Sequence, residues 1–171
     1  MSTNEDTDFV FDTADFGFSD PIDGDSLANV IITTAPANGT LYNDVNSNGI
    51  VDGGEALAAT DVVSAADITA GQLKFKPAAN ANGTGYDSFT FQVQDDGGTA
   101  NGGVDTDQSA NTMTIDVTAV NDAPAGADNT VSTNEDTDFV FDTADFGFSD
   151  PIDGDSLANV IITTAPANGT L

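Results

Sequence analysis

A segment of twelve residues, DVNSNGIVDGGE, carries oxygen-bearing side chains at a regular spacing. They match every required position of the calcium-loop pattern D-x-[DN]-x-[DN]-G followed by five residues and Glu. In this pattern alternate side chains turn oxygens inward, the glycine permits a sharp bend, and the final Glu closes the coordination sphere with two oxygens. The spacing therefore predicts a Ca²⁺ site with ligands Asp44, Asn46, Asn48, the backbone carbonyl of Ile50, Asp52 and Glu55.

The residues on either side of this loop have no helical periodicity, so we expect an EF-hand-like loop between two strands and not a complete EF-hand. The alternative is a surface turn, because turns prefer the same Asn, Gly and Asp residues. The presence of Glu55 at the closing position favours the metal site.

Further acidic residues cluster at the predicted ends of strands. These clusters are Glu5–Asp6, Asp20–Asp23–Asp25, Asp95–Asp96, Asn121–Asp122, Glu135–Asp136 and Asp150–Asp153–Asp155. Two carboxylates about 5 Å apart repel by about 3 kcal/mol at an effective dielectric near 20, so such clusters are costly without a cation. Because the chain has 29 acidic and 2 basic residues, bound metal is the expected neutraliser. The alternative is a dispersed acidic surface that aids solubility.

The composition excludes several classes of function. The formal net charge of −27 disfavours partnership with nucleic acid or an anionic membrane, since both require basic patches. The chain has no His, Cys or Trp, which removes His-based and thiol catalysis, Cys/His zinc sites and disulfides. With 39% apolar residues and 11 Phe, it still has enough apolar side chains for a buried core.

The elements that must position these acids are predicted to be strands, because apolar residues alternate with polar ones in short runs between turn signals. Such runs begin at Phe9, Val30, Leu73, Phe89 and Met113. About seven short strands in about 120 residues predict an all-β fold, an antiparallel β-sandwich of immunoglobulin-like type. The same alternation places Lys74 and Lys76 on the wet face of one strand, where they would discourage pairing if that strand lay at an edge.

The chain also contains an internal repeat. Residues 2–41 recur without a change as residues 132–171, 130 positions later. This identity indicates a tandem array of repeats. We expect a first β-sandwich repeat over 1–121, followed by 122–171 as the lead-in and opening third of the next, identical repeat.

Taken together, these segments resemble the cadherin-like tandem repeats of large bacterial surface adhesins, the RTX or biofilm-associated adhesins that leave the cell by type I secretion. The resemblance is carried by TAVNDAPAGADNTVSTNEDT, DFGFSDPIDGDSL, TTAPANGTL, YDSFTFQVQDDGG and MTIDVTAVNDAP, which cover nearly the whole chain. It implies a cadherin-like sandwich with calcium bound between successive domains.

The residues that match the cadherin calcium motifs come from the linker and from strand ends. The linker VNDAP resembles D-x-N-D-N-A-P, although Ala119 and Ala123 stand where that motif has Asp and Asn, so fewer ligands are expected. The matching positions are Asn121 and Asp122 of the linker, Asp153 and Asp155 as the D-x-D of the following domain, Glu5 as the early Glu with Glu135 as its equivalent, and Asp23, Asp25 and Asp96, which would face an upstream repeat.

In that family such modules act as extenders: calcium stiffens them, and they hold a ligand-binding tip away from the cell. The resemblance therefore implies an extracellular spacer, stabilised by Ca²⁺, that is not an enzyme and has neighbouring repeats of the same chain as partners. The alternative is a calcium-dependent carbohydrate-binding module, for which Tyr42, beside the loop, is the candidate exposed aromatic platform. We also expect 122–171 either to exchange between molecules or to pack as a partial domain.

Overall fold

The computed structural model describes residues 1 to 171. The chain forms two compact units, Met1–Val120 and Asn121–Leu171. None of its helices is long and apolar enough to cross a membrane.

The first unit is built mainly from β-strands joined by turns. The eight strands are β1 (Ser2–Asn4), β2 (Phe9–Val10), β3 (Leu27–Thr34), β4 (Gly39–Asn43), β5 (Val62–Ser64), β6 (Leu73–Pro77), β7 (Gly83–Asp95) and β8 (Asn111–Thr118). The connections contain two 3-10 helices, Thr13–Phe16 and Ala100–Gly102, and one α-helix, α1 (Ala65–Thr69). This helix of 5 residues is too short to show a repeating apolar stripe in the sequence.

The strands form two sheets that enclose the core. One sheet has 5 strands in the order β1-β8-β7-β3-β5, and the other has 3 in the order β2-β6-β4. The first and last strands, β1 and β8, pair in parallel, while the remaining pairs are antiparallel. The predicted all-β sandwich is confirmed, with eight strands where about seven were expected.

Aromatic side chains from both sheets fill the core. Phe11 packs edge-to-face on Phe89 with ring centroids 5.6 Å apart, and Phe16 packs on Phe91 at 5.0 Å. Across the sandwich, Phe75 of β6 belongs to the same buried cluster. Burying one such side chain contributes about 1.5–3 kcal/mol. This shared core fixes the strand ends from which the acidic loops emerge.

Strand β6 differs from the sequence-based expectation in its position in the sheet and in the exposure of Lys74. Its alternation is as expected, with Leu73 and Phe75 buried, but β6 lies in the middle of its sheet and not at an edge. The prediction that Lys74 lies on a wet face is also wrong: its side chain is only 17% exposed and is bonded to Asp44. Lys76 is exposed as predicted.

The second unit has little regular structure. It contains one 3-10 helix, Thr143–Phe146, and one isolated bridge between Ala125 and Ser149. Several apolar side chains that are buried in the first unit are exposed here. Val160 is 41% exposed and Ile162 is 54% exposed, although the equivalent residues in β3 are completely buried.

Candidate metal centres

The calcium-pattern loop is closed at its base by a short antiparallel pairing. Tyr42, in β4, forms a bridge with Ala56, and the N–H of Asn43 donates to the carbonyl of Glu55 at 2.9 Å. Between these paired residues the chain turns at Gly49, whose φ of +73° lies in the left-handed region that glycine adopts readily. The loop therefore has a fixed neck, defined here as the Asn43–Glu55 pair.

Asp44, the first position of the pattern, is fully buried, and both of its carboxylate oxygens accept hydrogen bonds. Its Oδ1 accepts from the N–H of Asn48 at 3.0 Å, and its Oδ2 accepts from the N–H of Gly49 at 3.0 Å and from Lys74 Nζ at 2.6 Å. The hydrogen bond from the Lys74 ammonium is the main cause that lowers the pKa of Asp44, and the two backbone N–H groups add to it. Asp44 is thus held as a carboxylate by the protein's own cation.

The polar groups in the middle of the loop also form hydrogen bonds with one another. Asn46 and Asn48 donate from their amide nitrogens to Asp52 Oδ2, each at 2.8 Å. Their amide oxygens accept backbone N–H bonds, from Asn48 at 2.9 Å and from Ile50 at 2.7 Å respectively. The polar side-chain atoms of these predicted ligands are therefore hydrogen-bonded within the loop in this structure. The side chain of Ile50 is exposed to solvent.

Glu55, the last position of the pattern, differs from the others. Its side chain is only 6% exposed, and Oε2 accepts from the N–H of Asp52 at 2.9 Å. The other oxygen, Oε1, is buried with no hydrogen-bond partner. Leaving a buried polar atom unpaired costs about 1–3 kcal/mol, and more when the group is charged. A hard cation such as Ca²⁺ binds carboxylate oxygens of this kind, so the residue fits a metal site.

A second acidic group lies at the ends of β3 and β7. The carboxylate oxygens of Asp20, Asp23 and Asp25 all lie within 4.8 Å of one another, an arrangement that could hold a metal ion. Asp96 joins the group through Ser26, whose N–H donates to Asp96 Oδ1 at 2.8 Å. The structure thus brings together the predicted residues Asp23, Asp25 and Asp96, along with Asp20.

Electrostatics in this second group follow from its density of negative charge. Partial burial, and then the charges of Asp20, Asp95, Asp96 and Asp23, raise the pKa of Asp25. The backbone N–H of Asp23 is the main cause that lowers the pKa of Asp20. The group borders an open cavity of about 820 Å³ whose lining includes further aspartates and no basic residue. A positive ion would be favoured there over a neutral or anionic ligand.

Glu5 is buried in the first unit and holds the end of that unit in place. Its Oε1 accepts from the N–H of Val120 at 2.5 Å, and its Oε2 accepts from Asn82 Nδ2 at 3.1 Å. Its backbone N–H also donates to the carbonyl of Thr118 at 2.9 Å. Through these contacts Glu5 links the start of the first unit to Asn82 and to the end of the unit at Thr118 and Val120.

The remaining predicted ligands lie in the second unit. The N–H of Asp122 donates to Asp153 Oδ2 at 2.6 Å, and Asn121 Nδ2 donates to the carbonyl of Asp122 at 2.9 Å. Asp155 lines a cavity of about 530 Å³ that Asn121 also lines. Glu135 is exposed in a turn and is not gathered with the others.

Two residues at the first loop escaped the sequence prediction. Lys74 is 30 positions from Asp44, and only the pairing of β4 with β6 brings the two together. Asn43 directly precedes the loop pattern, and its Oδ1 is buried without a partner. Asn43 could have been suspected from its neighbour at the first loop position, but no sequence signal predicts the burial of its Oδ1.

The proposed aromatic platform is not available on the surface. Tyr42 is completely buried, and its hydroxyl donates to Asp8 Oδ2 at 2.6 Å. Another buried acid, Asp87, accepts from the N–H groups of Ala37 and Asn38 and so stabilises a turn.

Comparisons with family models, with curated proteins and with solved structures find no match to this chain.

Proposed function

We propose that this chain is a calcium-stabilised extender module of a long secreted bacterial surface adhesin. Such a module holds a distal binding region away from the cell for attachment to surfaces or within a biofilm. The observation that carries the proposal is the buried, unpaired Oε1 of Glu55, at the closing position of an acidic loop that matches the calcium pattern.

The charge of the chain supports a dependence on calcium. The net charge is −27 and only 2 residues are basic, so the acidic loops must be neutralised mainly from solution. An ion that binds only the folded state stabilises that state in proportion to its concentration. Calcium is scarce inside cells and plentiful outside, so the module would become stable after export.

The arrangement of the terminal strands supports a role as a spacer under tension. β1 and β8 run in parallel, with Ser2 opposite Asp116 and Asn4 opposite Thr118. A pull that draws the two ends of the unit apart acts along both strands in opposite directions. The hydrogen bonds between them are then loaded together in shear and do not open one at a time.

The proposal assigns the chain an extracellular position and no catalytic role, with neighbouring repeats of the same chain as its partners. The repetition of residues 2–41 as 132–171 supports a spacer. The length of a spacer matters more than its exact surface, so identical copies serve it well. Exchange of 122–171 between molecules stays a prediction. Light scattering tests it, since a monomeric mass would count against exchange.

The direct test of the proposal is a thermal melt of the whole chain in EDTA, in millimolar Ca²⁺ and in Mg²⁺ at the same ionic strength. The magnesium sample controls for general screening of a polyanion. We expect a large rise in melting temperature with calcium, a small one with magnesium, and loss of the specific rise in Glu55→Gln. Equal melts in calcium and magnesium for both proteins would contradict the proposal.

A further inference from the structure

In the first unit, the buried side-chain oxygens that lack a hydrogen-bond partner belong to two residues that face each other. They are Asn43 Oδ1 and Glu55 Oε1. Because Tyr42 pairs with Ala56 in an antiparallel bridge, Asn43 lies directly opposite Glu55. Residues opposite each other in such a pair place their side chains on the same face, with Cβ atoms about 5 Å apart. The two unpaired oxygens thus come from the same side of the loop neck.

The orientation of the Asn43 amide follows from its other contact. Its Nδ2 donates to Asp67 Oδ2 at 3.4 Å, on the α1 side. The oxygen of the same amide is therefore directed away from Asp67 and is left without a donor. A neutral donor is absent at this position, while a cation would satisfy this oxygen and Glu55 Oε1 together.

The negative charge that remains unbalanced also lies on this side of the loop. A cavity of about 470 Å³ is bordered by Asn43, Asp52, Glu55 and Asp61, and no basic residue borders it. Asp44 does not border this cavity, and its charge is already balanced by Lys74. Glu55 Oε1 has no partner, and no basic residue balances the carboxylates at this cavity, so the cavity, and not Asp44, is the favoured position for a cation.

We propose that the loop binds its metal ion in this neck cavity, with Asn43 Oδ1 and Glu55 Oε1 as ligands, while Asp52 and Asp61 add negative charge at the border of the cavity. Asp44 stays bonded to Lys74, and Asn43 becomes a ligand that the loop pattern does not contain. The mixed carboxylate and amide oxygens suit Ca²⁺, which tolerates irregular coordination, better than Mg²⁺, which requires a near-ideal octahedron. The inference rests on the proposed function, since it gives the position of the ion that the module needs.

The test is a calcium titration of the whole chain. NMR monitors the titration through the amide signals of Gly53 and Gly54, which border the cavity. These signals report on this site separately from the Asp20 group. We expect Asn43→Ala to weaken calcium binding at least about tenfold, which is typical for loss of a group that supports a metal site. Asn43→Asp keeps the shape of the side chain and adds a charge, so it should tighten binding. Asn29→Ala, which removes a strand amide in β3 bonded to Gln94, serves as the matched control.

Two outcomes would overturn the inference and are distinguishable. If Glu55→Gln loses binding while Asn43→Ala and Asn43→Asp bind like the wild type, the loop binds calcium but not in the neck cavity. If the Gly53 and Gly54 signals of the wild type do not respond to calcium, the loop holds no ion, and the proposed function fails with the inference.

Discussion

Lys74 donates from Nζ to Asp44 Oδ2 at 2.6 Å, and this is the ion pair of the first unit. Asp44 is fully buried, so Lys74→Met would leave its carboxylate without a counter-charge. Removing one partner of a buried pair is strongly destabilising, because the other charge stays buried and unpaired. We expect the melting temperature of Lys74→Met to fall by several degrees, in EDTA and in calcium alike.

Lys76→Met is the matched control for this prediction. Lys76 lies two positions further along β6, is exposed and carries the same charge, so its loss should change the melting temperature little. Equal melts for the two variants would show that the ion pair does not matter. Full recovery of Lys74→Met in calcium would mean that the ion takes the place of Lys74 on Asp44, contrary to a site in the neck cavity.

Ionisation of Tyr42 is expected to lower the stability of the first unit at alkaline pH. Burial, and then the hydrogen bond to Asp8, raise the pKa of Tyr42 above its usual value near 10. The folded state therefore holds the phenol proton more tightly than the unfolded chain does. This contribution to the free energy of unfolding is fully present below about pH 10 and is lost as the pH rises through the raised pKa.

Urea unfolding of the wild type and of Tyr42→Phe between about pH 8 and pH 11 measures this effect. At the lower pH we expect the wild type to be more stable by about 1 kcal/mol, the usual net contribution of a hydrogen bond. The difference should narrow above about pH 10. Other ionising groups are the same in both proteins and cancel, so a constant difference across the range would contradict the assignment.

The repeated segment shows which parts of the fold are encoded locally. The residues TADF form a 3-10 helix at Thr13–Phe16 and again at Thr143–Phe146, with the same capping box and a following glycine in the left-handed region. The bonds that hold this turn are made within a few residues. Such a turn can be predicted from the sequence, because the residues that hydrogen-bond to one another in it are only a few positions apart.

The strand that follows is identical in sequence but not in structure. Leu27–Thr34 forms β3 because β5 and β7 pair with it on both sides. The same residues at 157–164 form no strand in the second unit. Alternation of apolar residues therefore predicts a capacity for strand formation, while the pairing depends on distant residues.

The same distinction applies to the candidate metal site. The candidate ligands of the calcium pattern could be predicted from spacing, since those residues lie within 12 consecutive positions. The pairing of Lys74 with Asp44, and the burial of Asn43 Oδ1 opposite Glu55, depend on the register of β4 against β6 and of Tyr42 against Ala56. No spacing in the sequence encodes those registers.

Glu5 and Glu135 occupy equivalent positions in the repeat and are expected to differ sharply in their effect on stability. Glu5→Ala removes the acceptor for the N–H of Val120 and for the amide of Asn82, which should lower the free energy of unfolding by about 1–3 kcal/mol. Glu135 is exposed, so Glu135→Ala should stay within about 0.5 kcal/mol of the wild type.

Urea unfolding in EDTA measures these two variants without any contribution from bound metal. If Glu5→Ala lowers the free energy of unfolding only when calcium is present, Glu5 acts as a metal ligand, and its hydrogen bond with Val120 does not stabilise the first unit. Comparable losses in both variants would show that the two units share this contact pattern.

Ile32 and Ile162 provide a similar comparison for the apolar core. Ile32 is completely buried between the sheets, whereas Ile162, in the identical local sequence, is 54% exposed. Ile32→Ala should cost about 2–5 kcal/mol, through lost burial and the cavity left behind. Ile162→Ala should stay within about 0.5 kcal/mol of the wild type. Urea unfolding followed by near-ultraviolet circular dichroism measures both changes. Because the two substitutions are chemically identical, a large loss in Ile162→Ala would mean that residues 132–171 bury this side chain in solution, as segment exchange between molecules would require.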